Sequence, residues 1–271
     1  MKYDFKELSF IIHLRVDVPE RLRNLEMVLE YYNKICKNLE FIIVNDDVKP
    51  ESKLKYFYDK YKNIKVLFLK NNSYHNKSLS LNSAFKETSR KIIIAHDTDV
   101  IIDPKHILQG ADDILNGRSE HVYPYNGLFC TVKDNLVQKF KNSLDVNTFL
   151  SNKPTSKNLI NCYENNYIFI NSTESCGGCV MYSSDIYKKV NGYNPKFIGW
   201  GYEDDEMASR VKKFNAMTSR VSDKDAIAWH MPHPNSIRGN NPYIDQNHKL
   251  VTYTQSATLE ELQKYIKEWK L

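Results

Sequence analysis

The sequence predicts an α/β domain built on a mostly parallel sheet flanked by helices. Three observations carry this. Short apolar runs alternate with amphipathic helical stretches through the first hundred residues. The runs are too uniformly apolar to be one-sided strands, so both faces of the sheet must be covered. The 271 residues, 41% hydrophobic and 26% charged, are enough for one sizeable core.

Each element follows in order. LSFIIHL (8–14) reads as the first strand. Pro19 to Cys36 reads as a helix with Leu22, Leu25, Leu29 and Tyr32 on one face, opened by Asp17 and Glu20 as a capping-box-like pair. LEFIIVN (39–45) is a second strand and ESKLKYFYDKY (51–61) a helix. IKVLFLK (64–70) is a third strand, and KSLSLNSAFKETS (77–89) a helix with Leu81, Ala84, Phe85 and Thr88 inward. KIIIAHD (91–97) is the fourth strand. The second half is less regular. Helices are expected at 104–116, at 184–190 and from about 203, where Met207, Val211 and Phe214 share a face. Strands are expected at 178–183 and 225–231. Residues 117–175 are mixed and polar, 235–250 read as a breaker-rich loop, and 258–270 as a closing amphipathic helix.

Composition excludes several classes. The net charge of +5 is mild, not the dense basic stripe of a nucleic-acid binder. It fits an anionic small ligand or attraction to an anionic membrane surface. No apolar run approaches the roughly 18 residues of a spanning helix, and the N-terminus lacks the long apolar stretch of a signal peptide, so a soluble, reducing environment is expected. Five cysteines, odd in number and irregular in spacing, argue against a disulfide framework. Cys176 and Cys179 form a lone CxxC without a second pair, which favours structural thiols over zinc.

In parallel sheets, ligands bind at the carboxyl ends of the strands. That singles out Arg15 and Asp17, then Asp46 and Asp47, then Asp97 and Asp99 in AHDTDV (95–100). Two aspartates at a buried strand end can hold a divalent cation against a ligand's phosphates; alone, such a pair serves as often in a turn or cap. In AWHMPHP (228–234) the prolines exclude a helix, and polyproline geometry would turn His230 and His233 to one side. They would then complete a metal site begun by Asp99, favouring Mn²⁺ over Mg²⁺, or else be ordinary surface histidines. Asp46 and Asp47 suit a base or ribose, or a turn. Arg15 suits a diphosphate or a base, or plain solvent. The acids Glu203 to Glu206 follow Gly199, Trp200 and Gly201 at a helix start. A helix dipole accounts for one or two acids there but poorly for four.

Together these pieces resemble a GT-A-fold, Rossmann-like inverting glycosyltransferase, similar to the β-1,4-galactosyltransferases and the bacterial chondroitin- and capsule-type family 2 enzymes. The resemblance spans residues 8–235. Its most specific part is ESCGGCVMYSSDIYKKVNGYNPKFIGWGYEDDEMASRV (174–211). It implies a single domain, with a nucleotide-sugar half (1–100), an acceptor half (101–235) and a loop with a C-terminal helix (236–271). It implies Asp99, His230 and His233 as ligands of Mn²⁺, with Mg²⁺ as the alternative. Arg15, Asp17, Asp46, Asp47, Asp97 and Trp200 would bind a UDP-sugar. Gly178, Trp200, Tyr202 and Glu203 would bind the acceptor, with Asp204 as catalytic base beside Glu203. His13 replaces the family's usual proline, and Tyr202 the second glycine of its usual corner.

The implied reaction moves a hexose or N-acetylhexosamine, galactose-type first, to a glycan or lipid-linked glycan hydroxyl. The implied setting is bacterial surface polysaccharide assembly, in the cytoplasm or peripheral at the inner membrane face. Two rival readings are a metal-dependent nucleotidyltransferase or phosphohydrolase, and a non-catalytic sugar-binding relative. The glycine-free first loop HLRVDVPER counts against the nucleotidyltransferase; the retained acid and histidines count against the non-catalytic relative.

Overall fold

The four apolar runs of the first hundred residues become four parallel strands. A computed structural model describes residues 2–151, 167–170, 175–234 and 241–271. In chain order the first half gives β1 (Tyr3–Asp4), β2 (Leu8–Leu14), α1 (Pro19–Ile35), β3 (Cys36–Lys37), β4 (Phe41–Asp47), α2 (Leu54–Lys60), β5 (Ile64–Lys70), α3 (Lys77–Phe85), β6 (Ile92–His96) and β7 (Val100–Ile101). Then follow α4 (Pro104–Leu115), β8 (His121–Tyr123), β9 (Phe129–Val132), α5 (Asp134–Ser143), α6 (Asn147–Leu150), β10 (Tyr167–Ile170), β11 (Cys179–Ser183), α7 (Ser184–Lys189), α8 (Glu203–Lys213), β12 (Thr218–Arg220), β13 (Ala228–His230), α9 (Ile244–Ser256) and α10 (Leu259–Tyr265).

The main sheet has seven strands in the order β12-β8-β11-β6-β2-β4-β5. β6, β2, β4 and β5 run parallel. β11 runs antiparallel to both β6 and β8, which stitches the second half of the chain onto the first. Alternation along β2 covers both faces. Phe10 meets Tyr32 of α1 at 5.2 Å between ring centroids, while His13, on the opposite face, meets His75 just ahead of α3. Leu22, Leu25, Leu29 and Tyr32 are buried as the helical spacing predicts, and so are Leu81, Ala84 and Phe85. No helix among the described residues is long and apolar enough to cross a membrane.

A second, four-stranded sheet, β10-β9-β13-β7, sits where the DTD stretch leaves the main sheet. Its antiparallel β13–β7 pair sets His230 opposite Val100.

Four expectations are corrected. α1 has Val18 as its N-cap with no side-chain cap bond; Asp17 instead accepts from Arg21 Nε at 2.9 Å. The second strand runs Phe41–Asp47, so Asp46 and Asp47 are its last residues rather than its loop. α3 ends at Phe85 and leaves Thr88 beyond it. The stretch read as a loop at 235–250 contains the start of α9, which begins at Ile244; residues 235–240 lie outside the described residues. Cys176 and Cys179 are free thiols, so the CGGC pair forms no disulfide; Cys36 is a free thiol too, and Cys162 lies outside the described residues.

α8 carries a buried ion pair. Glu206 and Arg210 are both 0% exposed and joined by two hydrogen bonds, and Thr254 of α9 donates to the same carboxylate at 2.9 Å. Arg210→Met strands the Glu206 charge and is expected to cost about 3–5 kcal/mol in urea unfolding; adding Glu206→Leu should recover most of it.

Candidate active site

β6 ends at His96, one residue before the expected Asp97; the DTD stretch (97–99) follows it and leads directly into β7, so Asp99 stands where the two sheets meet. Met231 N–H donates to the Asp99 carbonyl at 2.8 Å, which extends the β13–β7 register past His230. Arg23 and Asn24 of α1 bind the carbonyls of Met231 and Pro232 and steady the turn that brings His233 round. His233 Nε2 lies 3.3 Å and His230 Nε2 3.7 Å from the Asp99 carboxylate. The three residues offer ligand atoms that all lie within 4.8 Å of one another.

The imidazoles are oriented from behind. His233 Nδ1 faces the Pro234 carbonyl at 3.1 Å, an acceptor only, so Nδ1 carries a proton and Nε2 is turned to Asp99; burial disfavours the imidazolium, but Asp99 outweighs it and raises the pKa. His230 Nδ1 is held by Thr131 Oγ1 at 3.0 Å. Burial pushes the Asp99 carboxyl up, but His230, His233 and Arg21 outweigh it and hold it well below the usual carboxylate range. One carboxylate and two imidazoles, converging and backed by second partners, fit a divalent cation. Arg21, which the sequence did not single out, bridges Asp17 to Asp99, with Nη1 at 3.5 Å from Asp99.

Asp46 is 2% exposed. It accepts from Asn76 N–H at 2.7 Å and faces His13 at 3.4 Å, so His13 ties the first strand to the second. Burial raises the Asp46 pKa, but His13 and the Asn76 N–H more than offset this and lower it. Asp47 accepts from the Val16 and Val48 N–H groups, which ties the first two strand ends together. Burial, together with the His13, Arg21 and Arg15 charges, holds the His75 imidazole down at about 3. Among the described residues, Arg15 Nη1 is buried without a hydrogen-bond partner. A buried guanidinium nitrogen without an acceptor is costly unless a ligand supplies one.

Lys77, at the first position of α3, was missed in the sequence and joins two predicted groups. Its Nζ lies 2.9 Å from Asp204, 3.1 Å from Asp97 and 3.9 Å from Glu203. Burial disfavours its charge, but the three acids outweigh burial and keep it protonated. Asp204, 18% exposed, also accepts from Tyr193 Oη at 3.3 Å. Burial, then the Glu203 and Asp97 charges, push its pKa up against the pull of Lys77, to about 7. Burial and the crowding of acids thus outweigh Lys77 at this helix start. Glu203 is buried and folds back, its Oε2 accepting from Gly201 N–H at 2.9 Å. Of the other two acids, Glu206 is the buried structural partner of Arg210, and Asp205 is exposed beside the Cys176 thiol.

The glycines around Asp204 have separate reasons. A Cβ on Gly177 would meet Asp204 Oδ2 at 2.5 Å. Gly177→Ala is therefore expected to displace the carboxylate and lower turnover roughly 10- to 100-fold with UDP affinity retained, read by steady-state kinetics beside calorimetry. Gly178 has φ +80°, and its carbonyl accepts from Asp97 N–H at 2.8 Å, so it steadies the DTD stretch.

The corner before α8 is clamped from α9 and its approach. Asn241 donates to the carbonyls of Ile198 and Trp200, and Asn247 to those of Ile198 and Gly201. Trp200 stays 40% exposed at the tip. Tyr202 takes φ +70° as the helix N-cap, the left-handed conformation that a glycine would hold more cheaply, and its ring packs 5.2 Å from His248.

Solved structures share this fold. S. aureus TarS 1–349 in complex with UDP-GlcNAc superposes over 97% of this chain and 71% of its own, with TM-score 0.61 and 15% identity. The chain spans only 42% of the longer TarS chain. The catalytic domain of Drosophila β1,4-galactosyltransferase 7, in complex with xylobiose, superposes over 95% of this chain and 83% of its own, with TM-score 0.50 and 13% identity. The fold is GT-A. The model of glycosyl transferase family 2 matches residues 20–190, more than half of the chain, so the chain belongs to that family and is a glycosyltransferase. A second model, the N-terminal domain of galactosyltransferase, matches residues 159–234, which include the Trp200 corner and both histidines.

Proposed function

We propose that this glycosyltransferase takes a hexose or N-acetylhexosamine from a UDP-sugar and places it, with inversion, on a glycan hydroxyl. The observation that carries the reading is the Asp97–Lys77–Asp204 chain, which sets a carboxylate with pKa about 7 beside the DTD stretch. A carboxylate with that pKa is half ionised near neutrality and can take a proton from an acceptor hydroxyl. The acceptor oxygen then bonds to the anomeric carbon, its proton passes to Asp204, and the bond to the diphosphate breaks as UDP leaves. Arg15, with its unsatisfied buried nitrogen, contacts the diphosphate or base; Asp46 and Asp47 hold the uridine; Asp17 acts through Arg21. A Mn²⁺ ion held by Asp99, His230 and His233 would neutralise charge on the departing diphosphate. Trp200 offers an apolar face to the sugars, and Glu203 keeps the corner folded while offering Oε1 to an acceptor hydroxyl. Gly178 and Tyr202 shape the acceptor side.

The neighbours' ligands support the donor and acceptor classes: TarS was seen with UDP-GlcNAc and with UDP, and the galactosyltransferase with xylobiose. The acceptor is read as a glycan, lipid-linked in surface polysaccharide assembly. Calorimetric titration of UDP into the chain with and without Mn²⁺ tests the donor site. Binding that requires Mn²⁺ is expected; UDP failing to bind in either condition would overturn the reading.

A further inference from the structure

We propose that α2, the edge strand β5 and the loops around them form a docking surface for an anionic lipid bilayer. The inference extends the reading of a lipid-linked acceptor by naming the face that meets the membrane.

The charge distribution is the first observation. Residues 48–70 hold seven lysines against Glu51 and Asp59, an excess of five. The rest of the chain holds 31 basic and 31 acidic residues, so this one segment carries the whole net charge of +5. Lys60 pairs with Glu30, and Lys65 with Glu87. Lys49, Lys53, Lys55, Lys62 and Lys70 are exposed and have no ion pair among the described residues.

The second observation is apolar and independent of charge. Val48, Tyr56, Tyr58 and Phe68 are 38–56% exposed, four of the ten large hydrophobic side chains exposed among the described residues. Tyr56 and Phe57 also line a groove of about 340 Å³ against Pro19 and Leu22 of α1, with Lys53 on its lining. Aromatic rings beside unpaired lysines suit the headgroup level of a bilayer, where rings sit between water and chains while cations meet lipid phosphates.

Protection of a sheet edge is the simpler account of lysines on β5. It covers Lys65 and Lys70. It does not cover Lys53, Lys55 and Lys62, which lie on or beside a helix, nor an exposed Tyr58. The surface also adjoins the candidate site. Asp47 ends β4 next to Lys70, its register partner on β5, so a membrane met here lies beside the end of the sheet that carries the proposed nucleotide residues.

The test is vesicle sedimentation of the full chain. One set of vesicles is phosphatidylglycerol mixed with phosphatidylcholine; the other is phosphatidylcholine alone. Binding to the anionic set only, weakening from 0.1 to 0.5 M salt, is expected. The triple variant Lys53→Glu, Lys55→Glu, Lys62→Glu should lose on the order of 100-fold or more in partitioning. Tyr58→Ser should weaken it severalfold without a change of charge. Both variants should keep the wild-type melting temperature and UDP binding. Anionic vesicles ignored at low salt, or bound equally by the triple variant, would overturn the proposal. So would tighter binding to a soluble acidic polysaccharide that displaces the protein from vesicles. The assay uses no nucleotide, so failure of the UDP reading is seen separately from failure here.

Discussion

Asp204→Asn should cut turnover by about 10²–10⁴-fold while leaving Mn²⁺-dependent UDP binding near wild type. The amide keeps the shape, with its oxygen able to accept from Lys77 and its NH2 turned to the Tyr193 hydroxyl, but it cannot take a proton. The pH profile adds a second readout. The Asp204 pKa is raised to about 7, so the active, ionised form is lost as pH falls through that value. Wild-type kcat, measured at saturating Mn²⁺ and donor, should therefore fall about tenfold for each unit below pH 7, and the variant's residual rate should lack that limb. Full turnover in the variant would move the base elsewhere. Lys77 sharpens the point, because it lowers the Asp204 pKa against burial. Lys77→Met should shift the acid limb upward.

Asp99→Ala should remove the proposed metal site rather than the chemistry. It takes away the only carboxylate of the three converging ligands and the partner of both imidazoles. Mn²⁺ affinity is expected to fall by at least about 100-fold, and the Mn²⁺-dependent part of UDP binding with it, both read by calorimetry. A base still held by Lys77 and Tyr193 should keep its place, so the Asp204→Asn and Asp99→Ala losses should appear in different steps. UDP binding unchanged by Mn²⁺ in the wild type, or unchanged in Asp99→Ala, would refute the assignment.

Much of this was legible because the first half of the fold is written in local patterns. Uniformly apolar runs such as KIIIAHD announce buried parallel strands, and the residues at their ends need no long-range information. The pairing of Asp99 with His230 and His233 was legible only as a candidate. Bringing the three side chains together needed the β13–β7 register, which joins positions about 130 residues apart. Lys77 was not legible for the same reason: it reads as an ordinary first-turn lysine until Asp204, 127 residues on, is placed beside it. The start of α9 was hidden by chemistry rather than distance. Its buried face is Asn247, Val251 and Thr254, correctly spaced for a helix but mostly polar. A search for apolar periodicity passes over a helix whose inward side is built to bind backbone carbonyls and the Glu206 carboxylate. Tyr202 holds a left-handed backbone, φ +70°, which its residue type does not announce and only the φ angle reveals.

The antiparallel insertion of β11 between β6 and β8 has a consequence during synthesis. When Ile92–His96 leaves the ribosome, β2 is available to one of its edges, but the strand that covers the other begins at Cys179. At roughly 5–20 residues per second, that edge waits on the order of 4–17 s with its backbone groups unpaired. An Ile-Ile-Ile run with an open edge is the kind of segment that pairs with a neighbouring nascent chain. Soluble yield should therefore depend on translation speed between His96 and Cys179 more than on any single contact in the finished enzyme.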